Sequence, residues 1–219
     1  MRSLRVLLVD DHALFREGVA LLLRRIEPAV EILEAGSLAE SRAVLDGGEE
    51  PDLVLLDLGL PDATGLEAIG ALRARRPGIP LVVLSGNDER AAVLEAIEQG
   101  AMGYVTKGSD SAVMLDALKT VLQGGVALPP SAFLRETAAS TGAEATSALG
   151  LTDRQGEVLQ LILQGMAAKQ IATTLDISPS TVKAHTSAVL RALNVTTRTE
   201  AVVEAGRRGI QIGGAGRRG

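Results

Sequence analysis

Five short aliphatic runs punctuate the first half of the chain, and four of them stop on residues that carry chemistry. They are LRVLLV (4–9), VEILEA (30–35), DLVLLD (52–57), PLVVLS (80–85) and GYVTK (103–107). The stretches between them place apolar residues at three- and four-residue spacing, the period of an amphipathic helix. Several runs are continuously apolar instead of alternating, which marks strands buried on both faces. Alternating β and α elements of this kind predict an α/β class fold, a doubly wound sheet of five parallel strands. In such sheets reactive groups collect beyond the carboxyl ends of the strands.

That rule gathers Asp10 and Asp11 after the first run, Asp57 at the end of the third, Ser85 at the end of the fourth and Lys107 at the end of the fifth. Three neighbouring carboxylates cannot all stay ionised without a compensating cation, and hard oxygen donors suit Mg²⁺. Mg²⁺ together with Lys107 would make a positive pocket for a phosphoryl group, with charge stabilisation carrying the transfer. A lone strand-end Asp is more often a turn former or helix N-cap than a ligand, and Ser85 or Tyr104 in isolation would be unremarkable. Five such residues at four strand ends outweigh that. His12, at a helix start with no second histidine nearby to share a metal, reads as structural.

Charge divides the 219 residues unevenly. Residues 1–125 carry 12 Lys and Arg against 20 Asp and Glu, residues 126–219 carry 10 against 7, and the whole chain is at −5. An acidic front and a mildly basic back predict two modules with different partners. The chain contains no cysteine, so neither a disulfide framework nor a thiolate metal site is available, which fits a reducing compartment. The apolar run before Asp10 is too short for a signal peptide and no run is long enough to span a bilayer, so a cytoplasmic protein without a membrane partner is expected.

Residues 124–150 mix Gly, Pro, Ala, Ser and Thr with few large apolar side chains, the composition of a flexible linker, with room for a short helix over 132–139. The expected organisation is a first domain over 1–125, a linker over 126–149, a small all-α domain over 150–208 and a disordered tail over 209–219. The tail is Gly-rich and basic, and a non-specific DNA-binding arm is its alternative reading.

The small domain opens with LTDRQGEVLQLILQG (151–165), where Thr152 and Gln155 have capping-box spacing and Gly165 suits a helix end. A second helical stretch, AAKQIATTL (167–175), leads through DISPS to TVKAHTSAVLRALNV, with Ser178 as N-cap and Pro179 at the first helical position. Short helices joined by a tight turn outline a helix-turn-helix. Projected at 100° per residue, Val182, Thr186, Val189 and Leu193 form a core stripe. Ser180, Ala184, Ser187 and Arg191 lie opposite, with Lys183 beside them. A small, polar, basic outer face suits entry into the DNA major groove, although a merely solvated face has the same pattern.

At these residues a resemblance becomes specific. VDDH (9–12), LLDLGLPDATG (55–65), VVLSG (82–86) and GAMGYVTKG (100–108) resemble the flavodoxin-like receiver domain of two-component response regulators. Residues 151–202 are similar to the LuxR-type helix-turn-helix, and the pair is the NarL/FixJ arrangement. The resemblance implies that Asp57 accepts a phosphoryl group from the phosphohistidine of a sensor histidine kinase. Asp10 and Asp11 would hold Mg²⁺ with Asp57 and the backbone carbonyl of Gly59. Lys107 and Ser85 would contact the phosphoryl oxygens, and Tyr104 would turn inward as Ser85 moves. On the output domain, Lys183, Ala184 and Ser187 would face base edges of double-stranded promoter DNA, with Arg191 on the same face. Lys169, Thr181 and Arg198 would contact phosphates.

The resemblance further implies regulated transcription, no enzymatic turnover beyond self-dephosphorylation, and a homodimer when phosphorylated or on DNA. Three positions depart from the usual pattern: Ser85 replaces the common Thr, Gly156 stands where a larger polar residue is usual, and Ser187 is shorter than in some relatives. Two other readings remain open. Haloacid dehalogenase-type phosphotransferases use similar groups, but their nucleophile ends the first strand in D-x-D, where this chain has DDH. A regulator working by partner contacts alone would leave Asp57 inert.

Overall fold

The computed structural model describes residues 3–133, 149–208 and 210. They fall into two compact units, the first drawn from 1–119 and 127–129, the second from 120–126 and 130–219.

The first unit is a five-stranded parallel sheet in the order β2-β1-β3-β4-β5. Its strands are β1 (Arg5–Val9), β2 (Glu31–Ala35), β3 (Leu53–Asp57), β4 (Leu81–Ser85) and β5 (Gly103–Thr106), one for each aliphatic run of the sequence. Between and after them come α1 (Ala13–Ile26), α2 (Leu38–Asp46), α3 (Gly65–Arg75), α4 (Arg90–Glu98) and α5 (Ser111–Leu122). Every residue of β3 and β4 is buried, and so is β1 from Val6 onward, as continuously apolar strands covered on both faces require. Each fully buried Leu or Val there contributes about 1.5–3 kcal/mol of transfer free energy.

Strand order reverses between β1 and β3, because the chain leaves β1 for β2 on one side and returns to β3 on the other. Register then decides what meets in that crevice. Val9 is level with Leu56, and Asp57 with Leu84, so Asp10, Asp57 and Ser85 emerge along the same sheet edge.

Among the described residues of the second unit, four helices follow one another: α6 (Asp153–Leu163), α7 (Ala168–Leu175), α8 (Pro179–Leu193) and α9 (Arg198–Arg207). Thr152 and Gln155 form the expected capping box, and Gly165 ends the segment after α6 at φ 78°, a left-handed conformation that glycine adopts without steric cost. The α7–α8 turn places Asp176 at φ 52° and lets the Ile177 N–H donate to Ala172 O at 3.0 Å. Ser178 then caps α8, its Oγ accepting the Thr181 N–H at 3.1 Å, with Pro179 in the first turn.

Two sequence expectations need adjustment. Of the short helix expected over 132–139, a 3₁₀ turn at Pro130–Phe133 overlaps the start, and 134–148 lie outside the described residues. Ile210 does not behave as tail: it is buried, and its N–H donates to Ala205 O at 2.9 Å, because a large aliphatic side chain gains more from burial than from solvent. Residues 209 and 211–219 lie outside the described set. Among the described residues, no helix is long and apolar enough to cross a membrane.

Candidate functional site

Beyond the β1 and β3 ends, two buried carboxylates share one ammonium. Lys107 Nζ stands 2.7 Å from Asp10 Oδ2 and 2.7 Å from Asp57 Oδ2. Asp10 is fully buried and Asp57 nearly so. Asp10 Oδ1 accepts the His12 N–H at 2.9 Å, whereas its Oδ2, facing Lys107, has no well-directed hydrogen bond. Asp57 Oδ1 accepts the Gly59 N–H at 3.1 Å. A Cβ at position 59 would lie 3.3 Å from Asp57 Oδ2, so glycine keeps that side of the carboxylate open.

Backbone pairing carries Lys107 to this point. Its N–H donates to Ser85 O at 2.8 Å, continuing the β4–β5 ladder past the strand ends, and its ammonium lies 4.7 Å from the centre of the Phe15 ring on α1. Ser85 is buried and its Oγ accepts the Asn87 N–H at 3.1 Å. Tyr104 is buried too, with its hydroxyl donating to Asn87 O at 2.5 Å. Burial pushes the Tyr104 phenol above its ordinary pKa, and a hydrogen bond with Ser85 offsets only part of that rise.

The donor set fits a hard divalent cation. One ligand atom from each of Asp10, Asp11, His12 and Asp57 lies within 4.8 Å of all the others. Three carboxylates against a single ammonium leave surplus negative charge, partly in a low-dielectric interior, and Asp10 Oδ2 lacks a directed donor. The structure therefore assembles Asp10, Asp11, Asp57, Ser85 and Lys107 around one crevice, with Gly59 and Tyr104 beside it.

Three neighbours were not legible in the sequence. The His12 Nδ1 lies 2.7 Å from Asp11 Oδ1 and 3.3 Å from Asp10 Oδ1, a closeness hidden by looking for a second histidine instead of carboxylates. Phe15 covers Lys107. Asp62, in the loop after β3, accepts the N–H groups of Leu38 and Ala39 at 2.8 Å each and so caps α2 from a distant part of the chain. Those two N–H groups, Ala39 first, hold its carboxyl below the usual value.

On the second unit the outer face of α8 emerges as projected. Val182, Val189 and Leu193 are buried, Thr186 is half-buried, and Ser180, Lys183, Ala184 and Arg191 are exposed. Ser187 is half-buried with its hydroxyl donating to Lys183 O at 3.0 Å, and Thr181 Oγ1 lies 2.8 Å from Ser178 Oγ. Lys169 on α7 is exposed. Arg198, expected among the phosphate contacts, is half-buried, its guanidinium donates to Met166 O, and burial lowers its pKa.

A family model for the response regulator receiver domain matches residues 6–119, and a model for bacterial regulatory proteins of the LuxR family matches residues 149–205. The glycerol metabolism activator of Pseudomonas putida is 38% identical over 211 residues, covering 92% of this chain and 95% of that protein. The transcriptional regulatory protein DegU of Brevibacillus brevis is 34% identical over 219 residues, covering 92% of each. A solved structure of the Salmonella typhimurium response regulator RcsB shares the fold, at a TM-score of 0.56 and 22% identity over 92% of this chain and 97% of that one.

Proposed function

The chain belongs to the response regulators with a receiver domain and a LuxR-type DNA-binding domain, and from that premise we propose that Asp57 is the phosphoacceptor governing its binding to promoter DNA. It is a transcriptional response regulator. The observation that carries the proposal is the shared ammonium: Asp57 is nearly buried yet ion-paired with Lys107 at 2.7 Å, and it has an open flank at Gly59.

In the proposed transfer, an Asp57 oxygen attacks the phosphorus of a kinase phosphohistidine. The new P–O bond forms as the P–N bond breaks, and the departing imidazole keeps the electron pair and takes up a proton. Lys107 then moves its charge from the carboxylates to the phosphoryl oxygens, and Ser85 turns its hydroxyl toward them. Asp10, Asp11, Asp57 and the Gly59 carbonyl would hold Mg²⁺, which when bound neutralises charge on the phosphoryl oxygens. Tyr104 reads the position of Ser85 through their shared neighbour Asn87. The chain itself hydrolyses the acyl phosphate and resets.

On the output side, Lys183, Ala184, Ser187 and Arg191 face the bases and Lys169 and Thr181 the phosphates, while Arg198 braces the domain. A half carrying 10 basic and 7 acidic residues binds DNA only modestly as a monomer, which supports a homodimer on paired half-sites. A sensor histidine kinase is the donor, and the cytoplasm, where kinase and DNA meet, is the proposed location.

The test is intact-mass spectrometry after incubation with a small phosphodonor and Mg²⁺, wild type beside Asp57→Ala, with sedimentation and DNA binding on the same samples. One added phosphate, absent in the variant and accompanied by dimerisation or tighter DNA binding, is expected. Identical DNA affinity in both states at every protein concentration would overturn the proposal.

A further inference from the structure

We propose that Phe15 is a positioning residue for the phosphoryl transfer: its ring face holds the Lys107 ammonium and confines that charge as it passes from the carboxylates to the phosphoryl oxygens. The inference rests on the reading that Asp57 accepts the phosphoryl group, and it names what steers the cation there.

Composition makes the residue stand out. The chain has two phenylalanines, one tyrosine and no tryptophan, and two of these three rings, Phe15 and Tyr104, border the crevice. Phe15 lies in the first turn of α1, its N–H donating to His12 O at 3.1 Å, so the helix that starts directly after Asp10 and Asp11 sets it beside the strand ends. Further along α1 the positions on that face are aliphatic: Val19, Leu22 and Leu23. Only next to the ammonium is the face aromatic.

Geometry gives the ring its task. Lys107 Nζ lies 4.7 Å from the ring centre, and a π face attracts an ammonium out to about 6 Å. The lysine side chain is 17% exposed, so water and salt screen the attraction little. The carboxylates hold the ammonium by distance more than by direction: Nζ is 2.7 Å from each Oδ2, yet Asp10 Oδ2 has no directed hydrogen bond. A point charge on a flexible four-carbon stem, held only in that way, is free to swing.

A ring face attracts the cation without a lone pair or a negative charge. Its pull is therefore the same whether a carboxylate or a phosphoryl oxygen lies opposite. Lys107 turns about a fixed aromatic contact instead of sweeping a solvated arc, and the transfer gains from that orientation. A leucine at position 15 would fill similar space and cover the lysine stem, but it has no quadrupole to hold the charge.

The experiment compares the full chain with Phe15→Leu, Phe15→Met and Phe15→Tyr, each checked for folding by its melting curve. Two quantities are read: the rate constant of phosphate addition from acetyl phosphate with Mg²⁺, by intact mass, and the ring-current shift of the Lys107 Cε protons by nuclear magnetic resonance, one lysine among four. Expected are an upfield-shifted Lys107 signal in wild type and Phe15→Tyr that is lost in the two non-aromatic variants. Phosphate addition should slow about threefold to tenfold in those two and stay near wild type in Phe15→Tyr. An unchanged rate in a folded non-aromatic variant, an equal slowing in Phe15→Tyr, or an unshifted Lys107 signal in wild type overturns the role of Phe15 while leaving Asp57 as acceptor. Should neither non-aromatic variant fold, the wild-type shift and the Phe15→Tyr rate decide by the same criteria. If wild type takes up no phosphate, the acceptor reading and the role of Phe15 in transfer fail together.

Discussion

Lys107 and Asp57 are an ion pair at 2.7 Å whose cation is simultaneously 2.7 Å from Asp10, so one ammonium offsets two buried carboxylates. Removing it leaves both charges uncompensated. Lys107→Ala is expected to lower stability by about 3–5 kcal/mol in the presence of a chelator. Added Mg²⁺ should restore much of that, because it would take over the compensating role. Denaturant unfolding with and without Mg²⁺ checks both halves, and a loss that Mg²⁺ leaves untouched would separate the ammonium from the cation site.

Asp62 makes the stability of the receiver unit pH-dependent through a defined latch. Its carboxyl is held below the ordinary 3.8 by the N–H groups of Ala39 and Leu38, so it binds protons less readily folded than unfolded. Its contribution is therefore present above the unfolded value and lost as pH falls through the folded one. Asp62→Asn should melt earlier than wild type near neutrality, and the difference should close in acid. Melting curves of the pair across that range are the measurement, and a gap that persists in acid would point to packing instead.

What the sequence disclosed, and what it withheld, follows from range. Strands β1, β3 and β4 were legible because an unbroken aliphatic run is what a strand covered on both faces demands, and Asp10, Asp57, Ser85 and Lys107 were legible because strand ends in a parallel sheet share an edge. The capping of α6 and α8 is local and was readable from Thr152, Gln155, Ser178 and Pro179. The Asp62 latch joins residues more than twenty positions apart through backbone N–H groups, which have no sequence signature. Arg198 shows the same limit: a basic residue beside the third helix has the pattern of a phosphate contact, and its hydrogen bond to the Met166 carbonyl has no sequence signature.

Tyr104 is the chain's single tyrosine, and tryptophan is absent, so tyrosinate absorbance reports on it alone. Burial raises its pKa above the ordinary 10.0. The folded state should thus retain the phenolic proton at a pH where the unfolded chain has lost it. Stability from this group is present below the unfolded pKa and disappears as pH rises through the folded one. Alkaline titration should show ionisation displaced upward and returning to the ordinary value in denaturant. Tyr104→Phe, which removes the hydrogen bond to Asn87 O, should cost about 0.5–1.5 kcal/mol.

Arg198 and Lys169 were expected to behave alike and should now behave oppositely. Lys169 is exposed, so Lys169→Ala should leave folding unchanged, weaken DNA binding across sequences and reduce the slope of affinity against salt by about one. Arg198 is half-buried with its guanidinium on the Met166 carbonyl, so Arg198→Ala removes a charge-assisted hydrogen bond and should cost about 1–3 kcal/mol of stability in the output unit. Because its charge is directed at a backbone oxygen, losing it should release no counterion difference on DNA, and the salt slope should hold at wild type. Melting and salt-dependent binding of the two variants decide the assignment: a shallower slope for Arg198→Ala would return that residue to the phosphate-contacting set.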